Sequence, residues 1–189
     1  IDKLGIADNT IVIYGTDNGP HMNTWPDGAM TPFRNEKNSG WEGAFRVPAM
    51  IRWPGHIKPG QITTEIFSGL DWFPTLVAAA GDPDIKDKLK KGYKAGGKKF
   101  KYHLDGYNQL PYLTGKEEKS RRKIIWYFSD ELDLLAVRYN NWKLHFMVQD
   151  QADTYRIRIT NADFDSLAPE VRSPLDILWI TFLYQNGRN

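Results

Sequence analysis

The sequence predicts an α/β protein: the C-terminal part of a mainly parallel sheet with helices, followed by a small subdomain of antiparallel strands and a helix. Three observations support this prediction. A short apolar run at 10–16, rich in β-branched residues, ends at polar residues, as a buried parallel strand does when it enters a loop. A longer apolar run at 71–80 has the limits of a helix, and several strand-like runs follow Gly115.

The first region begins with the strand at 10–16, whose uninterrupted apolar character predicts that both faces of its sheet are covered. Residues 20–38 are rich in Pro, Gly and Asn and lack periodicity, which predicts a long irregular loop. Loops of that length are often functional. A second strand is predicted at 45–53, where Pro54-Gly55 ends it.

The apolar run at 71–80 predicts a buried helix. Asp71 can cap its N-terminus, Pro74 lies in the first turn where no amide partner is lost, and Gly81 follows its end. The stretch at 82–101 is rich in lysine and glycine and shows no apolar repeat, so we expect a mobile surface excursion. Its lysines are Lys86, Lys88, Lys90, Lys91, Lys94, Lys98, Lys99 and Lys101.

The second region is predicted to contain antiparallel strands. The strand-like runs lie at 123–128, 134–139, 142–148 and 155–160. Asn140-Asn141 suits a two-residue hairpin turn with positive backbone angles. Ser173-Pro174 begins an apolar run, 175–184, that predicts a helix with proline in its first turn.

Length and composition limit the possible functions. A chain of 189 residues with 41% hydrophobic content can bury a core, and we divide it into a first domain at 1–118 and a second at 119–189. With 25 Lys and Arg against 23 Asp and Glu, the net charge of +2 does not by itself indicate a polyanionic partner. The absence of cysteine excludes disulfides, thiolate metal sites and a cysteine nucleophile within this chain.

The sequence contains no apolar run of the about eighteen residues that a transmembrane helix needs, so no membrane-spanning segment is predicted. Residues 1–9 lack an initiator Met and have neither the basic start nor the apolar stretch of a signal peptide. We therefore expect this chain to be an internal piece of a longer protein.

The motif Asp17-Asn18-Gly19 follows the predicted strand, at the edge where open parallel sheets place their ligands. A carboxylate beside an amide oxygen offers hard oxygen ligands, which suit calcium or magnesium better than zinc. The alternative is an ordinary hairpin turn, because Asp-Gly and Asn-Gly steps are common there. The segment 20–26 does not have the pattern of a return strand, which favours a site.

A series of short motifs resembles the sulfatase family, specifically the bacterial arylsulfatases of the alkaline-phosphatase superfamily. In chain order the matching segments are 16–21, 32–37, 41–48, 51–55, 70–76, 104–107 and 141–144. Asn35 stands where the family commonly has a glycine, and Ala44 replaces the second glycine of the usual Glu-Gly-Gly. The resemblance implies an alkaline-phosphatase-like fold and the hydrolysis of sulfate esters, either aryl or carbohydrate.

The resemblance also implies roles for single residues. Asp17 and Asn18 match the family's late pair of calcium ligands, with magnesium as a possible substitute, and Lys37 matches the catalytic lysine that contacts the substrate sulfate. His21 follows the metal motif and is a candidate substrate contact. The family's catalytic histidine is expected upstream of this chain, so His21 is not assigned that role.

The family's nucleophile is absent from this chain. It is a formylglycine made from Cys or Ser in a Cys/Ser-x-Pro/Ala-x-Arg motif, and neither form occurs in the sequence. The first two metal-binding aspartates of the family are missing as well. The resemblance thus implies a partial site whose nucleophile lies upstream, a chain inactive by itself, and a periplasmic or secreted protein.

Other charged residues are given ordinary roles. We expect Arg34, Glu42 and Arg46 to pair with one another and hold the shape of their loop. We expect His56, His103 and His145 to be exposed or hydrogen-bonded histidines, because they stand apart without metal-ligand spacing.

Three alternatives remain open at this point. Tetrahedral anions have shared needs, so a phosphodiesterase or phosphonate hydrolase of the same superfamily would use similar residues. A noncatalytic module could bind nucleic acid or another polyanion through residues 86–101, with Tyr93, Phe100 and Tyr102, although a solvated loop is the preferred interpretation there. The third alternative is an inactive structural remnant. The leading hypothesis needs neither nucleic acid nor a membrane as partner, and the oligomeric state stays undetermined.

Overall fold

A computed structural model describes residues 1–21, 31–129 and 132–147. The strand predicted at 155–160 and the helix predicted at 175–184 lie outside the described residues. The helices are α1 (Glu42–Phe45), α2 (Trp72–Ala79), α3 (Ile85–Lys91) and α4 (Leu110–Leu113), with 3-10 turns at Asp2–Leu4, Ala7–Asn9 and Gly69–Asp71. The strands are β1 (Val12–Gly15), β2 (Ala49–Arg52), β3 (Tyr93–Ala95), β4 (Lys98–Phe100), β5 (Ile124–Phe128), β6 (Leu134–Tyr139) and β7 (Trp142–His145).

The strands form three small sheets. Strand β1 pairs with β2, β3 pairs antiparallel with β4, and β5, β6 and β7 lie side by side in that order. The connections from β5 to β6 and from β6 to β7 are too short for the crossover that parallel neighbours need, so both pairs are antiparallel. The predicted α/β class and the predicted antiparallel sheet after residue 122 are confirmed.

Contacts within the chain divide it into two compact units. Of the described residues, the first unit contains 1–14, 50–125 and 139–141, and the second contains 15–21, 31–49, 126–129, 132–138 and 142–147. Each unit therefore collects segments that are distant in sequence. The predicted domain boundary between residues 118 and 119 stays a prediction.

Strands β1 and β2 are shorter and more exposed than the sequence suggests. The sequence predicts a second strand that begins at residue 45, but α1 occupies the chain as far as Phe45 and Pro48 lacks the amide that a ladder needs. Tyr14 is 61% exposed and Met50 is 60% exposed. The prediction that both faces of this sheet are covered is therefore wrong for the described residues, because most side chains of β1 and β2 are exposed.

Helix α2 matches the predicted helix, although Asp71 does not cap it. The Asp71 side chain instead belongs to a capping box of the preceding 3-10 turn, where the Ser68 amide donates to its Oδ2 at 2.9 Å. Its other contacts reach further along the chain. Within the first unit, the Tyr107 amide donates to Oδ1 at 2.7 Å and the Arg122 guanidinium donates at 2.7–3.1 Å.

Asp71 is the centre of a buried polar network in the first unit. The residue is 0% exposed and Arg122 is 7% exposed. Gln109, also fully buried, donates to Asp71 Oδ2 at 3.4 Å and to the Ser120 hydroxyl at 2.9 Å. Buried polar groups are stable only when hydrogen-bonded, and here the partners come from three segments, at 68, 107–109 and 120–122. The network therefore fixes the segments around α2 to the chain before β5.

The prediction of a mobile excursion at 82–101 is wrong. Ile85 and Leu89, four residues apart on α3, are 5% and 8% exposed, and the Tyr102 amide donates to the Leu89 carbonyl at 3.1 Å. Strands β3 and β4 are joined by Gly96 and Gly97, whose φ angles of 54° and 75° suit a tight hairpin turn. One apolar pair anchors the helix and a Gly-Gly step forms the turn. Neither produces a repeating apolar pattern, so the sequence did not predict these elements.

The hairpin between β6 and β7 is present as predicted, with one difference. Asn140 has a φ of 51°, but Asn141 does not share the positive angle. No helix within the described residues is long and apolar enough to cross a membrane.

Candidate active site

The polar loop after β1 offers oxygen atoms at its surface. The Asn18 amide donates to Asp17 Oδ1 at 2.9 Å, and the Asn18 side-chain nitrogen donates to the Gly19 carbonyl at 2.9 Å. The side-chain oxygen of Asn18 is then the atom left as an acceptor, next to the exposed carboxylate of Asp17. Both belong to the second unit.

Two glycines bring three backbone segments of the second unit into direct contact. The Gly19 amide donates to the Ala44 carbonyl at 2.7 Å, and the Gly43 amide donates to the Arg34 carbonyl at 2.8 Å. A Cβ atom added at Gly19 would overlap the carbonyl oxygen of Gly43, and one added at Gly43 would overlap that of Asn35. Only glycine fits at these two positions, and the motif spacing follows from this stacking.

Lys37 lies beside the Asp17 loop. Its backbone amide donates to the Pro20 carbonyl at 2.9 Å, and its side chain is half-buried. The chain reaches this position through positive backbone angles at Asn35 and Asn38, with φ values of 62° and 66°. Asn35 occupies the left-handed region that asparagine tolerates better than most residues, so its replacement of a glycine has a physical explanation.

The structure brings the backbones of the predicted site residues together within one unit. The convergence of the Asp17 and Asn18 oxygens on one point, with the Lys37 ammonium near it, stays a prediction. Over residues 1–21, 31–129 and 132–147, no three His, Cys, Asp or Glu side chains cluster as a metal site would require.

His21 is half-buried at the end of this loop, one residue from Pro20. Its Nε2 is enclosed and makes no hydrogen bond to any residue that the structure describes. A buried ring nitrogen without a partner is costly unless a ligand or another group satisfies it. The predicted substrate contact of His21 is thus chemically reasonable and stays a prediction.

Glu42 anchors the segment that follows Lys37. Its carboxylate accepts hydrogen bonds from the Tyr127 hydroxyl at 2.8 Å, Arg138 Nη1 at 2.5 Å and Lys143 Nζ at 3.0 Å. These donors come one each from β5, β6 and β7. The antiparallel sheet therefore holds α1, and with it the Lys37 loop.

Charge and burial compete in this cluster. Burial acts to raise the pKa of Glu42, but hydrogen bonds and positive charge from Lys143, Tyr127 and Arg138 outweigh it and lower that pKa. Burial lowers the pKa of Lys143, against the attraction of Glu42. Burial, followed by the Glu42 charge, raises the pKa of Tyr127.

The expected pairing among Arg34, Glu42 and Arg46 needs correction. Glu42 is paired with the sheet, the Arg34 guanidinium lies 3.8 Å from the centre of the Trp41 ring, and that of Arg46 lies 4.3 Å from the Phe33 ring. The two arginines therefore pack on aromatic faces. In the sequence, the motif at 141–144, which contains Lys143, was the sign that this sheet contributes to the site.

The histidines behave in two ways. His56 stacks on Trp53 with ring centres 4.1 Å apart, and His103 lies 3.4 Å from Asp105, so both fit the predicted ordinary roles. His145 does not, because both nitrogens of its half-buried ring are enclosed, with the backbone of Met147 as a weak neighbour and no hydrogen bond of good geometry among the described residues. Its ring stacks on Trp41 at 3.8 Å, and burial, with the charges of Lys143 and Arg34, lowers its pKa to about 4.

Comparison with known proteins agrees with the motifs. A family model described as sulfatase matches residues 1–82. Arylsulfatase A of Homo sapiens is 36% identical over 156 residues, which cover 80% of this chain and 28% of the human protein. The chain spans about a quarter of the length of the curated relatives it matches.

Two solved structures are similar in fold. The crystal structure of PsFucS1 sulfatase from Pseudoalteromonas sp. is 31% identical with a TM-score of 0.64, covering 78% of this chain and 27% of that one. That of Ps i-CgsB in complex with k-i-k-neocarrahexaose is 25% identical with a TM-score of 0.57, covering 93% and 39%. In sequence and in fold, this chain is similar to a part of the sulfatases.

Proposed function

We propose that this chain is part of a sulfuric ester hydrolase that uses calcium, with Asp17 and Asn18 as metal ligands and Lys37 as the catalytic contact to sulfate. One observation carries the proposal: the Lys37 amide donates to the Pro20 carbonyl at 2.9 Å. This bond places Lys37 next to the loop that carries the Asp17 carboxylate and the Asn18 amide oxygen. A metal ion held by those oxygens and the positive charge of Lys37 could together bind an anionic ester.

The donor set fits part of a calcium site. Asp17 offers two carboxylate oxygens and Asn18 one amide oxygen, all hard ligands, whereas calcium takes about six to eight oxygens. The rest must come from water, substrate or residues outside this chain, and magnesium would fit the same donors. When bound, the cation cancels negative charge on the sulfate oxygens.

Lys37 and His21 act on the substrate directly. The ammonium group of Lys37 attracts the sulfate and stabilises negative charge that develops on the leaving oxygen. Its half-buried position strengthens that attraction, because fewer water molecules screen it. The enclosed Nε2 of His21 supplies a hydrogen-bonding group that an ester oxygen can satisfy.

The proposal places the nucleophile outside this chain, as a formylglycine in an upstream segment of the same protein. Without it, the 189-residue chain attracts sulfate but leaves the barrier of the chemical step in place, since binding alone supplies no attacking group. Upstream strands would also cover the exposed β1 and β2. We extend the proposal to a periplasmic or secreted location, which cell fractionation tests.

The substrate is a sulfate ester on an aryl or a carbohydrate group. Ps i-CgsB was crystallised with a carbohydrate, k-i-k-neocarrahexaose, and its similarity to this chain supports the second class. Phosphate diesters and phosphonates are the competing substrates, since they are also tetrahedral anions.

The test measures hydrolysis of a chromogenic aryl sulfate by the full-length protein that carries this chain, with calcium, magnesium or a chelator. We expect Asp17→Ala and Lys37→Ala to lower kcat/KM by about 10² to 10³. Lys58→Ala, at an exposed lysine of the first unit, is the matched control and should change little.

Turnover of sulfate esters by the 189-residue chain alone would contradict the proposal, as would a Lys37→Ala enzyme with unchanged kinetics. A preference for phosphate diesters over sulfates would favour phosphorus chemistry instead.

A further inference from the structure

The lysine-rich stretch after α2 is an ordered surface. Helix α3 is anchored by the buried pair Ile85 and Leu89, and the β3–β4 hairpin is tied to it through the hydrogen bond from Tyr102 to Leu89. We call the eight lysines of these elements the lysine surface: Lys86, Lys88, Lys90, Lys91, Lys94, Lys98, Lys99 and Lys101. Polyanion binding is not the preferred interpretation of the sequence, because a solvated loop is expected here. The structure instead contains a helix and a hairpin.

The hairpin places like charges side by side. Lys94 and Lys99 are directly opposite each other across the antiparallel pair, so their side chains share one face. Lys101 follows directly after β4, two residues beyond Lys99. A Cβ atom at Gly92 would lie 2.8 Å from Lys99 Cε, so the Lys99 side chain occupies space that is free because residue 92 is glycine. Directly opposed like charges destabilise a hairpin unless an anion lies over them.

The charge of this segment is not balanced locally. Three aspartates, Asp82, Asp84 and Asp87, accompany the eight lysines, while the whole chain carries only +2. Lys88 pairs with Asp82 at 2.8 Å. The other seven lysines have no ion-pair partner in the described parts of the chain.

We propose that the lysine surface binds a sulfated polysaccharide as a second contact with a polymeric substrate; this inference rests on the proposed function. Lys94 and Lys99 lie opposite each other on the hairpin and Lys101 follows it, so several positive charges are available to successive anionic groups along an extended polymer. Tyr102, 60% exposed and with its ring centre 6.3 Å from that of Phe100, adds an aromatic face against which a sugar ring can pack. Among polyanions the sulfated sugar is favoured because the proposed site removes sulfate.

The experiment compares the full-length protein with a triple variant, Lys94→Gln, Lys99→Gln and Lys101→Gln, in equilibrium binding to heparin as the probe. We expect the triple variant to bind at least about tenfold more weakly and to show a salt dependence reduced by roughly one per lysine lost. The control triple, Lys3→Gln, Lys58→Gln and Lys116→Gln, alters three other exposed lysines of the first unit and should bind within about twofold of the parent.

Two further arms protect the conclusion. Replacing the same three lysines by arginine should retain heparin binding, which separates loss of charge from loss of fold. Desulfated heparin should bind far more weakly than heparin. Equal binding by parent and glutamine triple would overturn the proposal, and so would tighter binding to DNA than to heparin at equal ionic strength.

Failure here can be distinguished from failure of the proposed function. Heparin binding is measured without turnover, so it stands whether or not the protein hydrolyses a sulfate ester. If hydrolysis is present, the glutamine triple should raise KM for a sulfated polysaccharide while kcat stays the same, and kinetics on the small aryl sulfate should not change. A change in kcat on the small substrate would place these lysines elsewhere in the mechanism and contradict the proposal.

Discussion

Two carboxylates, one in each unit, collect hydrogen bonds in different ways. Asp71 is 0% exposed and accepts from backbone amides as well as from Arg122, so its bonds fix one fully enclosed network. Glu42, with 22% of its side chain exposed, accepts within the described residues from side-chain donors, one from each strand of an antiparallel sheet. The first arrangement holds a fold together, and the second fastens the loop of a proposed catalytic lysine to a support.

The comparison predicts the largest loss of stability at the Asp71 network. Arg122→Leu removes the main cationic partner and leaves a buried carboxylate uncompensated, which costs about 3–5 kcal/mol. Urea unfolding measures it. Arg121→Leu next to it is the matched control, because Arg121 pairs with exposed Glu117 and its loss should have little effect. Equal destabilisation by both variants would contradict the distinction.

Glu42→Gln should cost less stability, about 2 kcal/mol, because its side chain is partly solvated and an amide keeps some hydrogen bonds. Unlike Arg122→Leu, it should also lower kcat/KM of the full-length enzyme, since the Lys37 loop loses its support. Glu42→Gln leaves the largely buried ammonium of Lys143 without its carboxylate partner. Adding Lys143→Met removes that ammonium and should restore part of the stability. Strict additivity of the two changes would argue against the coupling.

The pH dependence of the Glu42 region follows from the pKa shifts. The lowered pKa of Glu42 gives stability that is present above its ordinary value of 4.5 and is lost as the pH falls through the lowered pKa. His145 adds to this at higher pH. Its pKa falls from 6.5 to about 4, so the unfolded state takes up the proton first and stability decreases between those values on acidification.

His145→Phe should remove about 2 kcal/mol of the loss in unfolding free energy that the parent shows between pH 7 and pH 4. This amount is smaller than the full pKa shift implies, because the His145 ring is only partly buried. Urea unfolding between pH 4 and pH 7 measures it. A slope in the variant equal to that of the parent would show that His145 does not titrate in this way.

The smallest predicted effect is at Asn35. Asn35→Gly should change stability by less than about 1 kcal/mol, because glycine adopts its φ of 62° without strain, while Asn35→Ala should cost about 1–2 kcal/mol. Thermal unfolding of the two variants compares them. If alanine is tolerated as well as glycine, the backbone angle does not determine which residue stands there.

The sequence predicted the parts of the molecule whose causes are local. The β6–β7 hairpin, the limits of α2 and the fold class all follow from patterns within a few residues. The partners of Asp71 and Glu42 could not be predicted, since Arg122 lies 51 residues from Asp71 and Arg138 lies 96 residues from Glu42. Motif matching made Asp17, Asn18 and Lys37 candidate site residues, but it gave no reason for their spacing. Backbone contacts at Gly19 and Gly43 supply that reason.

The contact between Gly19 and Gly43 also determines how this part of the molecule tolerates random mutation. In a saturation library selected for folded protein, positions 19 and 43 should return only glycine, because even alanine would overlap a carbonyl oxygen. Position 44, next in the chain and 6% exposed, already carries a methyl group and should admit other small residues. Adjacent codons of one motif would thus differ sharply in the diversity they permit, for a steric reason that does not involve the chemical step.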